Sequence, residues 1–265
     1  MSILEVTTGL LDALRGEMTP KFLATRSAAG VPNVVPCVSI MPAGDQPDTV
    51  IFGNFLLRKS IRNLKEDARV GILVITPELR GWILTGDFVE FQRTGPYVDR
   101  QMSSSLLRYN AYTGIRDAGI MRVRSVVTSF EISKMQVAKD YALARAAALV
   151  GAGRSEKCTV MPLAVQREFE KMAAVKVLAW IGENGYPQVV PALSLQPAGV
   201  ETLVCHADAR LPQPPPGVQV ATNILTFEAI SYQAKGKWAK RGNTGTIQVQ
   251  EVYAGGPPLP GGRVA

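Results

Sequence analysis

The chain has 265 residues, of which 46% are hydrophobic, and a formal net charge of +7. This length suffices for one large domain or two small ones with their own cores. No apolar run is long enough to span a bilayer, no secretory signal is expected because acids interrupt the first leucines, and no block of basic and aromatic residues predicts nucleic-acid binding.

The first predicted element is a short amphipathic helix in MSILEVTTGLLDALRGEM. Apolar side chains at helical spacing would share one face of it, namely Ile3, Leu10, Leu11 and Leu14. The runs FLATR and VVPCVSI follow, separated by a glycine-containing turn, which predicts two strands of an antiparallel hairpin. Pro36 cannot donate to a β-ladder, so it predicts a sheet edge or a bulge.

The next elements are a strand at DTVIF, a helix within GNFLLRKSIRNLKEDARV, and strands at ARVGILVI and GWILTGDFVEF. The helix is expected because Leu57, Ile61 and Leu64 recur at i, i+4 and i+7. A different composition follows. The alanine-rich segment 135–150 and the segment 162–172 predict helices, with a linker break at GAGRSEK between them.

A second copy of the first hairpin then appears. KFLATRSAAGVPNVVPCVSIMPAG at 21–44 aligns without a gap to KVLAWIGENGYPQVVPALSLQPAG at 176–199, and half of the aligned positions are identical. The match continues more weakly through DTVIF and ETLVC and through the two strands that follow each. The predicted domains are 1–133, a helical connector at 134–173, a degenerate second copy at 174–253, and a flexible tail at 254–265.

The copies differ after their third strand. The first has the helix within GNFLLRKSIRNLKEDARV, whereas the second has PQPPP, which cannot continue a helix. A helix N-terminus offers free backbone N–H groups and a positive dipole end, and Lys59 and Ser60 would add charge and a hydroxyl there. This predicts one phosphate cradle per chain, and the alternative is that the basic run is only the solvated face of a helix.

Few other residues carry a chemical signal. Cys37, Cys158 and Cys205 are scattered and odd in number, which predicts a reducing, cytoplasmic compartment rather than a disulfide framework. His206 is the single histidine, so no metal site is predicted. Cys205 and His206 are neighbours on a predicted strand and would point to opposite faces, which disfavours a nucleophile–base pair.

The order of these motifs resembles the FMN-binding split-barrel superfamily, which includes the pyridoxamine 5′-phosphate oxidases. The resemblance rests on the P-x-V-V-P strand, the R-K-S-x-x-N-L helix, the R-V-x-I-x-V strand and the G-x-x-x-x-G strand, in that order. Copy one especially resembles the small FMN-binding proteins of that superfamily, through RKSIRNL at 58–64, GWILTG at 81–86 and TGP at 94–96. The implied fold is mainly β with flanking helices: two tandem split β-barrels that form an intrachain pseudo-dimer.

The resemblance implies FMN as the cofactor, in a groove between the paired barrels. It implies phosphate contacts for Lys59 and Ser60, with Arg58 and Asn63 beside them. The isoalloxazine would lie near a second set of positions, namely Pro36, Cys37, Val38, Ser39, Trp82, Thr85 and Gly86. Pro36 stands where a backbone N–H donor would be, so one hydrogen bond to the ring is not expected.

The expected function is that of an FMN-dependent oxidoreductase acting on an unidentified small molecule. A flavin carries the difficult chemistry itself, so the sequence need not supply a conventional acid or base, and no catalytic residue is assigned. A non-catalytic flavin-binding or electron-transfer protein stays open, as does a split barrel that binds deazaflavin or haem. Neither a membrane nor a nucleic acid is an expected partner, and further association into a homodimer stays open.

Overall fold

The computed structural model describes residues 3–55, 57–105, 114–150, 159–255 and 260–265. It contains two antiparallel sheets of seven strands each. The first sheet consists of β1 (Lys21–Arg26), β2 (Pro32–Pro36), β3 (Met41–Pro42), β4 (Thr49–Gly53), β5 (Arg69–Ile75), β6 (Arg80–Gln92) and β7 (Ala118–Glu131). The second consists of β8 (Val175–Ile181), β9 (Pro187–Pro191), β10 (Gln196–Pro197), β11 (Thr202–His206), β12 (Gln219–Leu225), β13 (Ser231–Arg241) and β14 (Thr244–Ala254).

The two sheets have the same topology. The strand order is β2-β1-β5-β6-β7-β4-β3 in the first and β9-β8-β12-β13-β14-β11-β10 in the second. Each strand of the first sheet therefore corresponds to a strand of the second sheet whose number is higher by seven, so that β1 corresponds to β8. This confirms the predicted fold class, a mainly β chain of two tandem split barrels. Pro36 and Pro191 lie on β2 and β9, which are edge strands, as residues without an N–H donor require.

Six helices flank the sheets within the described residues: α1 (Ile3–Val6), α2 (Leu10–Arg15), α3 (Arg58–Glu66), α4 (Pro96–Met102), α5 (Lys134–Val150) and α6 (Leu163–Glu170). The single N-terminal helix expected from the sequence is two short helices, because Gly9 adopts a left-handed conformation with φ of 78° that interrupts helical hydrogen bonding. The GAGRSEK linker and Cys158 lie outside the described residues.

The two barrels pack against each other reciprocally. β2 contacts β8 and β12 of the second barrel, and its counterpart β9 contacts β1 and β5 of the first. One hydrophobic cluster contains buried residues of both, among them Phe22 and Leu73 of the first barrel and Leu178 of the second. The backbones come close at Gly71, where a Cβ atom would lie 2.3 Å from the carbonyl oxygen of Pro187. The chain thus forms an internal pseudo-dimer.

The C-terminal residues follow β14. The sequence predicts a flexible tail over 254–265, but residues 260–265 lie along the strand. Ala254 donates a backbone hydrogen bond to Gly262 at 3.0 Å, and Arg263 forms a β-bridge with Tyr253. These bonds satisfy backbone groups that an edge would otherwise expose. In the part of the chain that the structure describes, no helix has the length and hydrophobicity to cross a membrane.

Candidate functional site between the barrels

Helix α3 connects β4 to β5 and is held on the first barrel by polar side chains as well as by Leu64. Asn33 on β2 donates to the hydroxyl of Ser60 at 3.1 Å, and Asn63 donates to the hydroxyl of Thr25 at 3.0 Å. Ser60 and Asn63 are both buried. Two of the four residues predicted around the phosphate therefore attach the helix to the sheet.

The other two predicted residues, Arg58 and Lys59, face away from that attachment. Arg58 is exposed, whereas Lys59 is half-buried against the second barrel. The ammonium of Lys59 lies 3.3 Å from the ring centroid of Tyr253 on β14. Leu57 at the N-cap position makes no side-chain hydrogen bond to the helix, so the first N–H groups of α3 have no side-chain cap there. The N-terminus of α3 thus meets the second barrel at Tyr253.

A second lysine faces the same aromatic ring. Lys235 on β13 is only 4% exposed, and its ammonium lies 5.9 Å from the ring centroid of Tyr253. No ion pair joins Lys235 to a carboxylate among the described residues. A buried ammonium without a counter-ion is costly, and a buried group with a strongly shifted pKa is a candidate for a binding site.

The charges around Lys235 are mostly positive. Burial, together with the nearby charges of Lys59 and Arg62, lowers the pKa of Lys235 to about 7, against the opposing effect of Glu251. The pKa of Lys59 is also lowered, by burial first and by Arg62 and Arg263. We refer to these four residues, Lys59, Arg62, Lys235 and Arg263, as the cation cluster.

Glu251 is the carboxylate that faces the cation cluster, and it is already engaged. It accepts a hydrogen bond from the hydroxyl of Tyr253 at 2.7 Å and lies 4.0 Å from a guanidinium nitrogen of Arg263. Burial and this bond to Glu251 raise the pKa of Tyr253 to about 12, so the phenol stays protonated at neutral pH. Among the described residues, Glu251 is the carboxylate that opposes the basic side chains around Lys59 and Lys235, and this balance of charge favours an anion.

The predicted site residues at the end of β2 and just after it lie within the first barrel. Burial raises the pKa of the Cys37 thiol to about 12, so it is not a nucleophile at neutral pH. The hydroxyl of Ser39 accepts the backbone N–H of Gly53 at 3.1 Å. Val38 is half-buried, and its carbonyl accepts a hydrogen bond from the buried ammonium of Lys21 at 3.2 Å. Pro36 is half-buried at the edge, opposite Phe22.

The three predicted site residues on β6 also have structural roles in the first barrel. Trp82 is 2% exposed and belongs to the first barrel's core. Thr85 shares a hydrogen bond of 2.7 Å with the hydroxyl of Ser125 on β7. A Cβ atom on Gly86 would lie 2.5 Å from the carbonyl oxygen of Arg122, so only glycine fits there. These side chains are not part of the cation cluster.

The second barrel and the C-terminus supply site residues that the sequence reasoning missed, namely Lys235, Glu251, Tyr253 and Arg263. One signal was present in the aligned copies, because β6 and β13 match with Gly86 opposite Gly236. That alignment sets Thr85 opposite Lys235, an exchange of a neutral for a charged residue at a position buried in both barrels. The reciprocal packing then brings Lys235 toward α3.

Comparison with solved structures finds proteins that are similar to about half of this chain. No family model matches the chain, and no curated protein matches it. An FMN-binding protein from Syntrophomonas wolfei matches with 16% identity and a TM-score of 0.40, covering 50% of this chain and 88% of its own. HupZ from Group A Streptococcus matches with 21% identity and a TM-score of 0.37, covering 49% of this chain and 95% of its own. HutZ, a heme storage protein from Vibrio cholerae, matches with 15% identity and a TM-score of 0.35, covering 49% of this chain and 95% of its own.

Proposed function

We propose that this chain binds FMN, with the phosphate on the cation cluster, and that it acts as a flavin-dependent oxidoreductase on a small molecule. The observation that carries the proposal is Lys235, a residue only 4% exposed whose ammonium has no ion-pair partner among the described residues and which faces the same ring as Lys59, at the start of α3. A phosphate dianion would supply the missing negative charge, and the helix start would supply N–H donors.

The residues assigned to the phosphate are Lys59, Lys235, Arg62 and Arg263, with the first N–H groups of α3. Ser60 and Asn63 support them by fixing the helix on the sheet through Asn33 and Thr25. The order of motifs in the first copy supports a flavin over other phosphate esters, through its resemblance to FMN-binding split barrels. The bound flavin would supply hydride or electron transfer.

Titration of FMN into the purified full chain tests the binding step. Each charge-assisted phosphate contact contributes roughly 1.5–3 kcal/mol, so Lys59→Ala and Lys235→Met should each weaken binding roughly ten- to a hundredfold. Lys65→Ala is the matched control on α3, because Lys65 is exposed in the last turn. Lys240→Met is the control on β13, where Lys240 is exposed. Equal affinity in all four variants would overturn the proposal.

The catalytic step needs its own measurement. The FMN-loaded protein is mixed with NADH or NADPH, with and without an added electron acceptor, and the oxidised flavin spectrum is followed. Bleaching and recovery over many turnovers would support an oxidoreductase. Flavin that binds in a ratio of one per chain but is reduced only by a protein partner would indicate an electron carrier. Absence of flavin binding together with binding of deazaflavin or haem would assign the cation cluster to another anionic cofactor.

A further inference from the structure

Three lysines of the described residues are buried, and they differ in what surrounds their nitrogen atoms. Lys21 donates hydrogen bonds to two backbone carbonyls, at 2.7 and 3.2 Å. The nitrogen of Lys176 is completely enclosed and has no hydrogen-bond partner. The nitrogen of Lys235 is not one of the enclosed, unpartnered atoms of the described residues, and it borders the cation cluster. Lys235 is therefore the buried lysine whose nitrogen a ligand on the cation cluster can reach.

The residue opposite Lys235 on β14 is Glu251, but its carboxylate is engaged elsewhere. It accepts a hydrogen bond from the hydroxyl of Tyr253 at 2.7 Å, and none of the ion pairs of the described residues joins it to Lys235. The corresponding pair in the first barrel is Thr85 and Ser125, whose hydroxyls share a hydrogen bond of 2.7 Å. The second barrel thus has an unpaired amine where the first barrel has a satisfied hydroxyl.

Burial and like charge favour the neutral amine of Lys235. The ammonium of Lys59 lies 3.3 Å from the ring centroid of Tyr253, and that of Lys235 lies 5.9 Å from the same centroid, so two cations face one ring. Loss of the proton from Lys235 relieves their repulsion. With burial as the largest cause, the pKa of Lys235 is lowered from 10.5 to about 7, so much of the amine is neutral at neutral pH. A lysine that is desolvated beside another cation is a nucleophile toward carbonyl carbons.

The remaining cations indicate what else such a carbonyl compound would carry. Arg62 on α3 and Arg263 beside β14 keep their charge at neutral pH, and Lys59 lies at the start of α3. Guanidinium groups and a helix start are ligands of phosphate groups. A phosphate held there would keep an aldehyde group of the same small molecule close to the amine of Lys235, which favours the reaction between them.

We propose that Lys235 forms a reversible imine with a small phosphorylated aldehyde, whose phosphate binds the other three members of the cation cluster. The amine nitrogen attacks the aldehyde carbon, the C=O bond is replaced by a C=N bond, and the two amine hydrogens leave with the carbonyl oxygen as water. Neither carbon nor nitrogen is oxidised or reduced. The inference rests on the anion site of the proposed function, although not on the flavin, and FMN would compete with the aldehyde for this site.

Reduction with cyanoborohydride tests the proposal, because it traps an imine as a secondary amine that peptide mass spectrometry can locate. The purified full chain is incubated at neutral pH with glycolaldehyde phosphate, or with glycolaldehyde, which has the same carbonyl group and no phosphate. The phosphorylated aldehyde should modify Lys235 at least roughly tenfold faster, since one charge-assisted phosphate contact favours binding by about that factor. Lys176 should stay unmodified, and exposed Lys65 should react with both aldehydes at similar rates. Absence of modification at Lys235, or equal rates there with the two aldehydes, would overturn the proposal.

Arg62→Gln tests whether the cation cluster holds the phosphate. Arg62 is exposed, so the substitution removes a charge without disturbing a core. It should reduce the preference of Lys235 for the phosphorylated aldehyde several-fold. Lys65→Gln, at an exposed residue of the same helix, is the control and should keep the preference of the parent. An unchanged preference in Arg62→Gln would refute the assigned phosphate contact.

Flavin titration separates this inference from the proposed function. If both are right, saturating FMN should slow the modification of Lys235 and leave that of Lys65 unchanged. If FMN binds but no imine is trapped at Lys235, the imine is refuted and the flavin site stands. If the phosphorylated aldehyde modifies Lys235 selectively but FMN does not bind, the imine stands and the flavin site is refuted.

Discussion

The ammonium of Lys59 lies 3.3 Å from the ring centroid of Tyr253, and this contact joins the start of α3 in the first barrel to the last strand of the second. It is the shortest cation–π distance among the described residues. The two residues are far apart in the sequence and meet only because the barrels pack. The contact therefore reports on both inter-barrel packing and the candidate site.

A double-mutant cycle measures this contact. Lys59→Met and Tyr253→Leu, singly and together, should show a coupling free energy of about 0.5–2 kcal/mol in unfolding by urea, the range of cation–π pairs between exposed and desolvated sites. Tyr253→Phe keeps the ring and loses the bond to Glu251, so it should retain most of the coupling with Lys59. A coupling near zero would mean that the contact does not stabilise the folded chain.

Buried lysines predict a stability that depends on pH. Burial lowers the pKa of Lys176 from 10.5 to about 7, and that of Lys235 also to about 7. Between pH 7 and about 10, the unfolded chain therefore binds more protons than the folded chain. The free energy of unfolding of the cofactor-free protein should rise with pH across this window, by up to about 1.4 kcal/mol per pH unit for each lysine.

Lys176→Met isolates one of these contributions. Lys176 is fully buried, and its ammonium has no hydrogen-bond partner among the described residues. The variant should be more stable than the parent at pH 7, and its stability should rise less steeply toward pH 10. Lys139→Met, at an exposed residue of α5, should leave the pH profile unchanged. Parallel profiles for Lys176→Met and the parent would contradict the prediction.

Because the backbone packs closely at Gly71, any side chain at this position is expected to lower the free energy of unfolding. A Cβ atom would lie 2.3 Å from the carbonyl oxygen of Pro187, and a backbone atom cannot move aside as the end of a side chain can. Gly71→Ala should destabilise the protein by about 1–3 kcal/mol in urea unfolding. The residue that corresponds to Gly71 in the second barrel is Ala221, which already carries a methyl group. Ala221→Gly removes that methyl group and serves as the control. A Gly71→Ala protein as stable as the parent would show that the barrels can separate freely there.

The two barrels repeat one side-chain hydrogen bond, and this predicts equal roles for two serines. Ser39 accepts the backbone N–H of Gly53 at 3.1 Å, and Ser194 accepts that of His206 at 3.0 Å. Ser39→Ala and Ser194→Ala should each cost about 1–3 kcal/mol, because each leaves an N–H without its acceptor. Ser129→Ala, at an exposed position on β7, should cost little. If only one of the two substitutions lowers the free energy of unfolding strongly, the two hydrogen bonds do not contribute equally to stability.

The repeat made the fold predictable from the sequence. The identical residues of 21–44 and 176–199 predicted two similar units, and the equal strand orders confirm this. The helix α3 was also predictable, because its apolar residues recur at helical spacing. Gly9 was a local signal for a break in the N-terminal helix. The spacing of the apolar residues predicted one continuous helix instead.

The site was less predictable, because it depends on contacts between distant residues. Sequence spacing could not indicate that the hydroxyl of Ser60 bonds to Asn33 on the first sheet. It also could not indicate that Lys235 and Tyr253 approach Lys59, since this requires knowing which faces of the two barrels meet. Local patterns predict elements, whereas the charges of a groove follow from how the elements pack.

The helices α5 and α6 lie between the barrels in the sequence, so both barrels of the packed pair belong to one polypeptide. In a pair of identical subunits, every substitution appears in both, and the pair dissociates on dilution. Here the barrels stay together at any protein concentration. A substitution can therefore affect one barrel alone. The aligned position that is Thr85 in the first barrel and Lys235 in the second is an example. The residues on one barrel of the fused chain can thus change without any change in the other barrel.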